Sequence, residues 1–96
     1  MTKFLIERRY QVGLDRMPEI GRRSREVRNE HFPEIIWEHS HVVVDDAGAV
    51  RSYCVYEAPS EEIVRGHAEK LGAHEIHSIY EIAGDVTPED FPLTQD

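Results

Sequence analysis

Residues 35–57, IIWEHSHVVVDDAGAVRSYCVYE, hold two runs of β-branched and aromatic residues separated by Asp45-Asp46-Ala47-Gly48. Such side chains suit a pleated surface, and the DDAG segment is turn chemistry, with Gly48 free to take positive φ. The stretch reads as a hairpin of strands 35–44 and 50–57. Alternation along the first strand sorts Trp37, His39, His41 and Val43 onto one face and Ile36, Glu38, Ser40, Val42 and Val44 onto the other. Along the second it divides Val50, Ser52, Cys54 and Tyr56 from Arg51, Tyr53, Val55 and Glu57.

Upstream of the hairpin, residues 3–9 (KFLIERR) are short, partly alternating and followed by Gly13, which suits a strand. Between the two, Met17, Ile20, Ser24 and Val27 recur at helical spacing. Asp15 stands where a helix cap belongs, Pro18 is tolerable in the first turn, and Gly21 and Ser24 allow a close approach to a sheet. That helix should end near residues 31–33. Downstream, Ser60 caps a second helix with Glu61 and Glu62 in its first turn, a stripe of Val64, His67, Ala68 and Leu71, and a terminating Gly72. Residues 76–83 form a last strand, and residues 85–96 are an acidic, proline-containing tail, loose unless Phe91 docks.

The order β-α-β-β-α-β predicts an α+β, ferredoxin-like domain over residues 1–84, with a four-stranded antiparallel sheet and two helices on one face. Both faces of the hairpin carry apolar side chains. A second copy of the chain is therefore expected over the sheet face that the helices leave open, in a dimeric αβ-barrel-like homodimer.

Composition narrows the function. The 96 residues allow one core, and a net charge of −8 disfavours nucleic acid and anionic membrane surfaces as partners. The charge is uneven: residues 1–31 sum to +3 and the remainder to −11. Arg16, Arg22, Arg23, Arg25 and Arg28 cluster on the first helix, as a solvated face or as an anion or partner patch. One cysteine, no secretory pattern at the first residues and no run of about 18 apolar residues lead to the expectation of a cytoplasmic protein outside the membrane.

The segments IIWEHSHVVVD and YCVYEAPSEEIVRGHAEKLG resemble a small bacterial family of unknown function that includes a nickel-binding protein. The resemblance runs over roughly residues 3–83. It rests on Trp37, the His39-Ser40 pair, Cys54, Tyr56, the Ala58-Pro59 step into the second helix and the His67-Ala68 pair. It implies ferredoxin-like subunits, a dimer, and nickel or another divalent transition metal as ligand. Members often carry Gly-Phe-Pro or similar after the second helix, whereas Gly72 here precedes Ala73-His74, so that loop does not transfer. The wider group of dimeric ferredoxin-like proteins, similar to antibiotic-biosynthesis monooxygenases and muconolactone isomerases, implies instead a cavity for a small organic molecule.

Three metal candidates follow. His39 and His41, two residues apart on a strand, project from one face with Cα atoms about 7 Å apart, so that two imidazoles can converge on one cation, with Glu57 as a further donor. The plainer alternative packs His39 beside Trp37 and Tyr53 and leaves His41 in solvent. His67, on the edge of the second helix's stripe, is the third candidate: either a proton carrier or ligand beside a pocket, or a buried histidine satisfied by a carbonyl or by a hydroxyl such as that of Tyr56. Trp37, Cys54 and Tyr56 are candidate pocket residues, with Cys54 also reading as a small core residue. His31, His74 and His77 read as structural. No P-loop, dinucleotide fingerprint, zinc-finger framework or nucleophile elbow is present. The expectation is a non-catalytic nickel-binding homodimer, the alternative a small-molecule enzyme or carrier.

Overall fold

Pairing along the hairpin runs antiparallel from Val44 opposite Val50 to Ile36 opposite Glu57, closed by a turn in which Gly48 takes φ 85°. The computed structural model describes residues 1–72 and 74–93. In chain order it has β1 (Thr2–Tyr10), α1 (Met17–His31), β2 (Ile36–Val44), β3 (Val50–Ala58), α2 (Glu61–Leu71) and β4 (His74–Glu81). The four strands form one sheet in the order β2-β3-β1-β4, every neighbouring pair antiparallel. This is an α+β architecture of the ferredoxin-like kind. Ala73 of the Gly72-Ala73-His74 loop and residues 94–96 of the acidic tail lie outside the described residues.

Burial alternates along the central strands and reveals the covered face. Phe4, Ile6 and Arg8 of β1 and Val50, Ser52, Cys54, Tyr56 and Ala58 of β3 are buried, while the residues between them are only partly so. Ile20, Ser24 and Val27 of α1 and Val64, His67, Ala68 and Leu71 of α2 are the buried helix residues, the stripes that helical spacing selects. Ser60 caps α2 by accepting from the Ile63 amide at 3.4 Å, and Gly72 ends it at φ 68°.

At the start of α1 the expectation fails. Asp15 sits in a 3-10 turn, Leu14–Arg16, and Arg16 occupies the cap position with no side-chain capping hydrogen bond, so Asp15 does not cap the helix. The arginine cluster is partly structural as well. Arg23 donates to the Leu71 and Lys70 carbonyls at 3.3 and 3.4 Å, tying α1 to the C-terminal end of α2, and Arg28 donates to the Ile35 carbonyl at 2.6 Å. Phe91 remains 67% exposed, so it does not dock, although Asp85 reaches Lys3 at 3.6 Å.

The largest departure from simple alternation lies in β2. Its register slips between Trp37 and His39, leaving Glu38 as the extra residue of a β-bulge. Trp37 therefore faces Tyr56 on the helix-covered side, with Ser40 opposite Cys54 and Val42 opposite Ser52. His39 and His41, opposite Val55 and Tyr53, stay on the open side. The expected grouping of Trp37 with His39 and His41 is thus corrected: one inserted residue turns the indole through the sheet, where its Nε1 donates to Ser40 Oγ at 2.9 Å.

Candidate functional site

The bulge separates the candidate residues into two places. On the open face, His39 and His41 are exposed neighbours on edge strand β2, with ring centroids 5.4 Å apart and planes at 77°. Glu57 shares that side of the sheet but pairs with Ile36, beyond the bulge from His39. Among the described residues, no three His, Cys, Asp or Glu side chains come together as a metal cluster. The pair therefore fits a divalent ion as two nitrogen donors, and one chain leaves the set short of the three or four donors that hold such an ion tightly. The rest of this face is mixed. Half-buried Leu5, Tyr53 and Val55 are crossed by ion pairs of Lys3 with Glu38 (3.3 Å), Arg51 with Glu7 (3.5 Å) and Arg51 with Asp45 (3.0 Å).

His67 is on the other side of the sheet. It is fully buried, its Nε2 donates to the Ser24 carbonyl at 3.0 Å, and its ring meets those of Tyr56 and Phe32 edge-on at 5.8 and 6.0 Å. The carbonyl fixes the tautomer: Nε2 carries the proton and Nδ1 keeps a lone pair, which is buried without a partner among the described residues. Burial depresses the imidazole pKa from 6.5 to about 4. The satisfying partner is Ser24 rather than a Tyr56 hydroxyl, and the sheet keeps His67 apart from His39 and His41.

Trp37, Cys54 and Tyr56 line one cavity of about 110 Å³ between α1 and the sheet. Met17, Ile20 and Leu71 supply apolar wall from the helices, and Val42 supplies it from β2. Cys54 is buried, its Sγ 3.5 Å from Ser52 Oγ, which in turn lies 2.8 Å from the Tyr10 hydroxyl. Burial raises the pKa of both Tyr10 and Tyr56, so each stays a neutral phenol.

Sequence reasoning missed Arg8, which also lines this cavity. In KFLIERR it looks like one of two surface arginines, yet it is 1% exposed and its guanidinium carbon lies 5.1 Å from the Tyr56 ring centroid. Its Nη1 donates to His74 Nε2 at 3.2 Å, and His74 Nδ1 donates in turn to the Gly72 carbonyl at 2.7 Å. His74 is held neutral mainly by burial, which with the nearby Arg8 charge lowers its pKa. The alternation signal was available: Arg8 follows Phe4 and Ile6 at period two, on the face that α1 and α2 cover. His77, by contrast, is the extra residue of a second bulge and meets Arg9 Nη2 at 3.0 Å.

No helix among the described residues is long and apolar enough to cross a membrane. No curated protein matches the chain. Among solved structures, SCO4226 from Streptomyces coelicolor A3(2) is 22% identical with a TM-score of 0.65, over 88% of this chain and 99% of that one. An unknown protein from Galdieria sulphuraria is 11% identical with a TM-score of 0.59, over 91% of this chain and 48% of its own length. These likenesses establish the fold. Residues 4–82, which span the sheet, both helices and both candidate places, match the family described as nickel responsive protein SCO4226-like, and the chain belongs to that family.

Proposed function

We propose that the chain is a non-catalytic, cytoplasmic homodimer that binds a divalent transition metal, nickel foremost, through His39 and His41. One observation carries the reading: two exposed imidazoles on one strand face, with ring centroids 5.4 Å apart. Imidazole nitrogen suits nickel(II), which favours tetragonal sets of such donors. A two-fold dimer doubles every ligand, so two His39-His41 pairs supply the four nitrogens that one chain cannot. The family's description as nickel responsive supports the choice of metal.

Calorimetric titration of tag-free protein tests this. Nickel should bind with about one ion per two chains, and His39→Ala with His41→Ala should abolish the heat. A flat trace for nickel, copper, zinc and cobalt refutes metal binding, and an unchanged affinity in the double variant refutes the site. Light scattering at micromolar concentration should give the mass of a dimer.

A second reading, binding of a small organic molecule, is favoured by the cavity beneath α1, which Trp37, Cys54 and Tyr56 line.

A further inference from the structure

We infer that the cavity beneath α1 is a binding site for a short apolar monocarboxylate, held by Arg8. The inference rests on the small-molecule reading of that cavity and is independent of metal binding.

The central observation is a buried guanidinium with one edge unused. Arg8 is 1% exposed, and among the described residues no carboxylate forms an ion pair with it. Its Nη1 is engaged by His74, while Nε and Nη2 are buried and find no acceptor among the described residues. Nε and Nη2 form the side-on edge of a guanidinium, the edge that receives a carboxylate through two parallel N–H···O bonds. A buried charge is normally paired, because leaving water without a counter-ion is costly. Here the nearest compensation is neutral, the Tyr56 ring at 5.1 Å and the His74 nitrogen at 3.2 Å.

The rest of the cavity defines the acid. Its volume is about 110 Å³, below the ~150 Å³ of a cavity that takes benzene, so the body is a short aliphatic chain or compact branch. Met17, Ile20, Trp37, Val42 and Leu71 offer apolar wall, which suits hydrocarbon. Of the hydroxyl residues that also line it, Tyr10 and Ser52 bond each other and Ser40 accepts from Trp37, which disfavours a phosphate or dicarboxylate that needs several more donors. Gly21 stands on the wall, and a Cβ built there meets nothing within 4 Å. The first side-chain atom at 21 therefore meets no obstacle, and a larger residue there would take up ligand space.

Trp37 is the one tryptophan of the chain and lines the cavity, so its emission reports occupancy. Chelator-treated protein is titrated with butyrate, isobutyrate and pivalate, in parallel with butyramide and with sodium chloride and phosphate at matched ionic strength. Trp37 emission and the thermal midpoint are both followed. At least one carboxylate should give a saturable response at millimolar concentration or below, at least tenfold stronger than butyramide. Arg8→Met, which removes the charge but keeps an unbranched apolar chain, should fold and lose the response. Gly21→Leu, which keeps Arg8 and fills the space, should lose it as well. An equal response to butyramide overturns the carboxylate assignment while leaving a cavity that binds neutral molecules. A response to chloride or phosphate alone, or binding retained in Arg8→Met, overturns it too. Silence toward every compound overturns both this inference and the small-molecule reading.

Discussion

The buried His67 should make folding stability fall between pH 6.5 and 4 in a way that one substitution removes. Its neutral ring is enclosed by Ser24 of α1, Tyr56 of β3 and Phe32, with the charge of Arg8 on β1 and the ring of His74 on β4 nearby. Burial is the leading cause of the depression to about 4, and Arg8 and His74 add to it, while the hydrogen bond to the Ser24 carbonyl opposes it. A histidine in the unfolded chain titrates near 6.5, so below that pH the unfolded state takes up a proton that the native state refuses. The stabilisation is complete above pH 6.5 and is lost as pH falls toward 4. The displacement from 6.5 to about 4 corresponds to about 3 kcal/mol in full, most of it gone by pH 4.5. His67→Gln keeps an amide N–H to donate to Ser24 and does not titrate. Urea unfolding of wild type and variant, at one protein concentration and at intervals from pH 7.5 to 4.5, isolates the effect, because carboxylates and His74 titrate in both. The wild-type advantage should shrink by about 2–3 kcal/mol across that range. Parallel stability profiles would refute the reasoning, as would an NMR titration that finds the native His67 ring protonating near pH 6.5.

Glycine positions in the two helices supply a paired test. Gly21→Ala should stabilise the protein by up to about 1 kcal/mol in urea unfolding, since its φ is not positive and the added Cβ meets nothing within 4 Å. Gly66→Ala should gain less or lose stability, because its Cβ would stand 3.1 Å from the Phe32 ring edge. Ser60→Ala removes the cap on the Ile63 amide and should cost about 1 kcal/mol by the same measurement, with Ser60→Asp restoring most of it.

The strand and helix periods were legible because they are local. The stripe Val64, His67, Ala68 and Leu71 could be read from spacing alone, and the hairpin from its DDAG turn, since neither depends on what the rest of the chain does. Asp15 was misread because a capping residue and a residue of a preceding 3-10 turn look alike in sequence, and only the path of the backbone separates them. Trp37 was assigned to the wrong face because strict alternation assumes that no residue is inserted. Glu38 is inserted, and it then reaches across to Lys3 at 3.3 Å, a pairing of residues 35 positions apart that no local window contains. Arg8 could have been flagged by its period-two relation to Phe4 and Ile6, but charge alone made it look like surface.

By itself the sequence determined the element order, the two helix stripes, the turn and the likeness to a nickel-associated family, all of which follow from side-chain periodicity and short motifs. Tertiary structure alone decided that the histidine pair and the indole lie on opposite sides of the sheet, that His67 is sealed against Ser24, and that a guanidinium is enclosed with one edge lacking an acceptor among the described residues. Those outcomes depend on strand register and on contacts between residues far apart in the chain, where the addition of one residue reverses which surface a side chain meets.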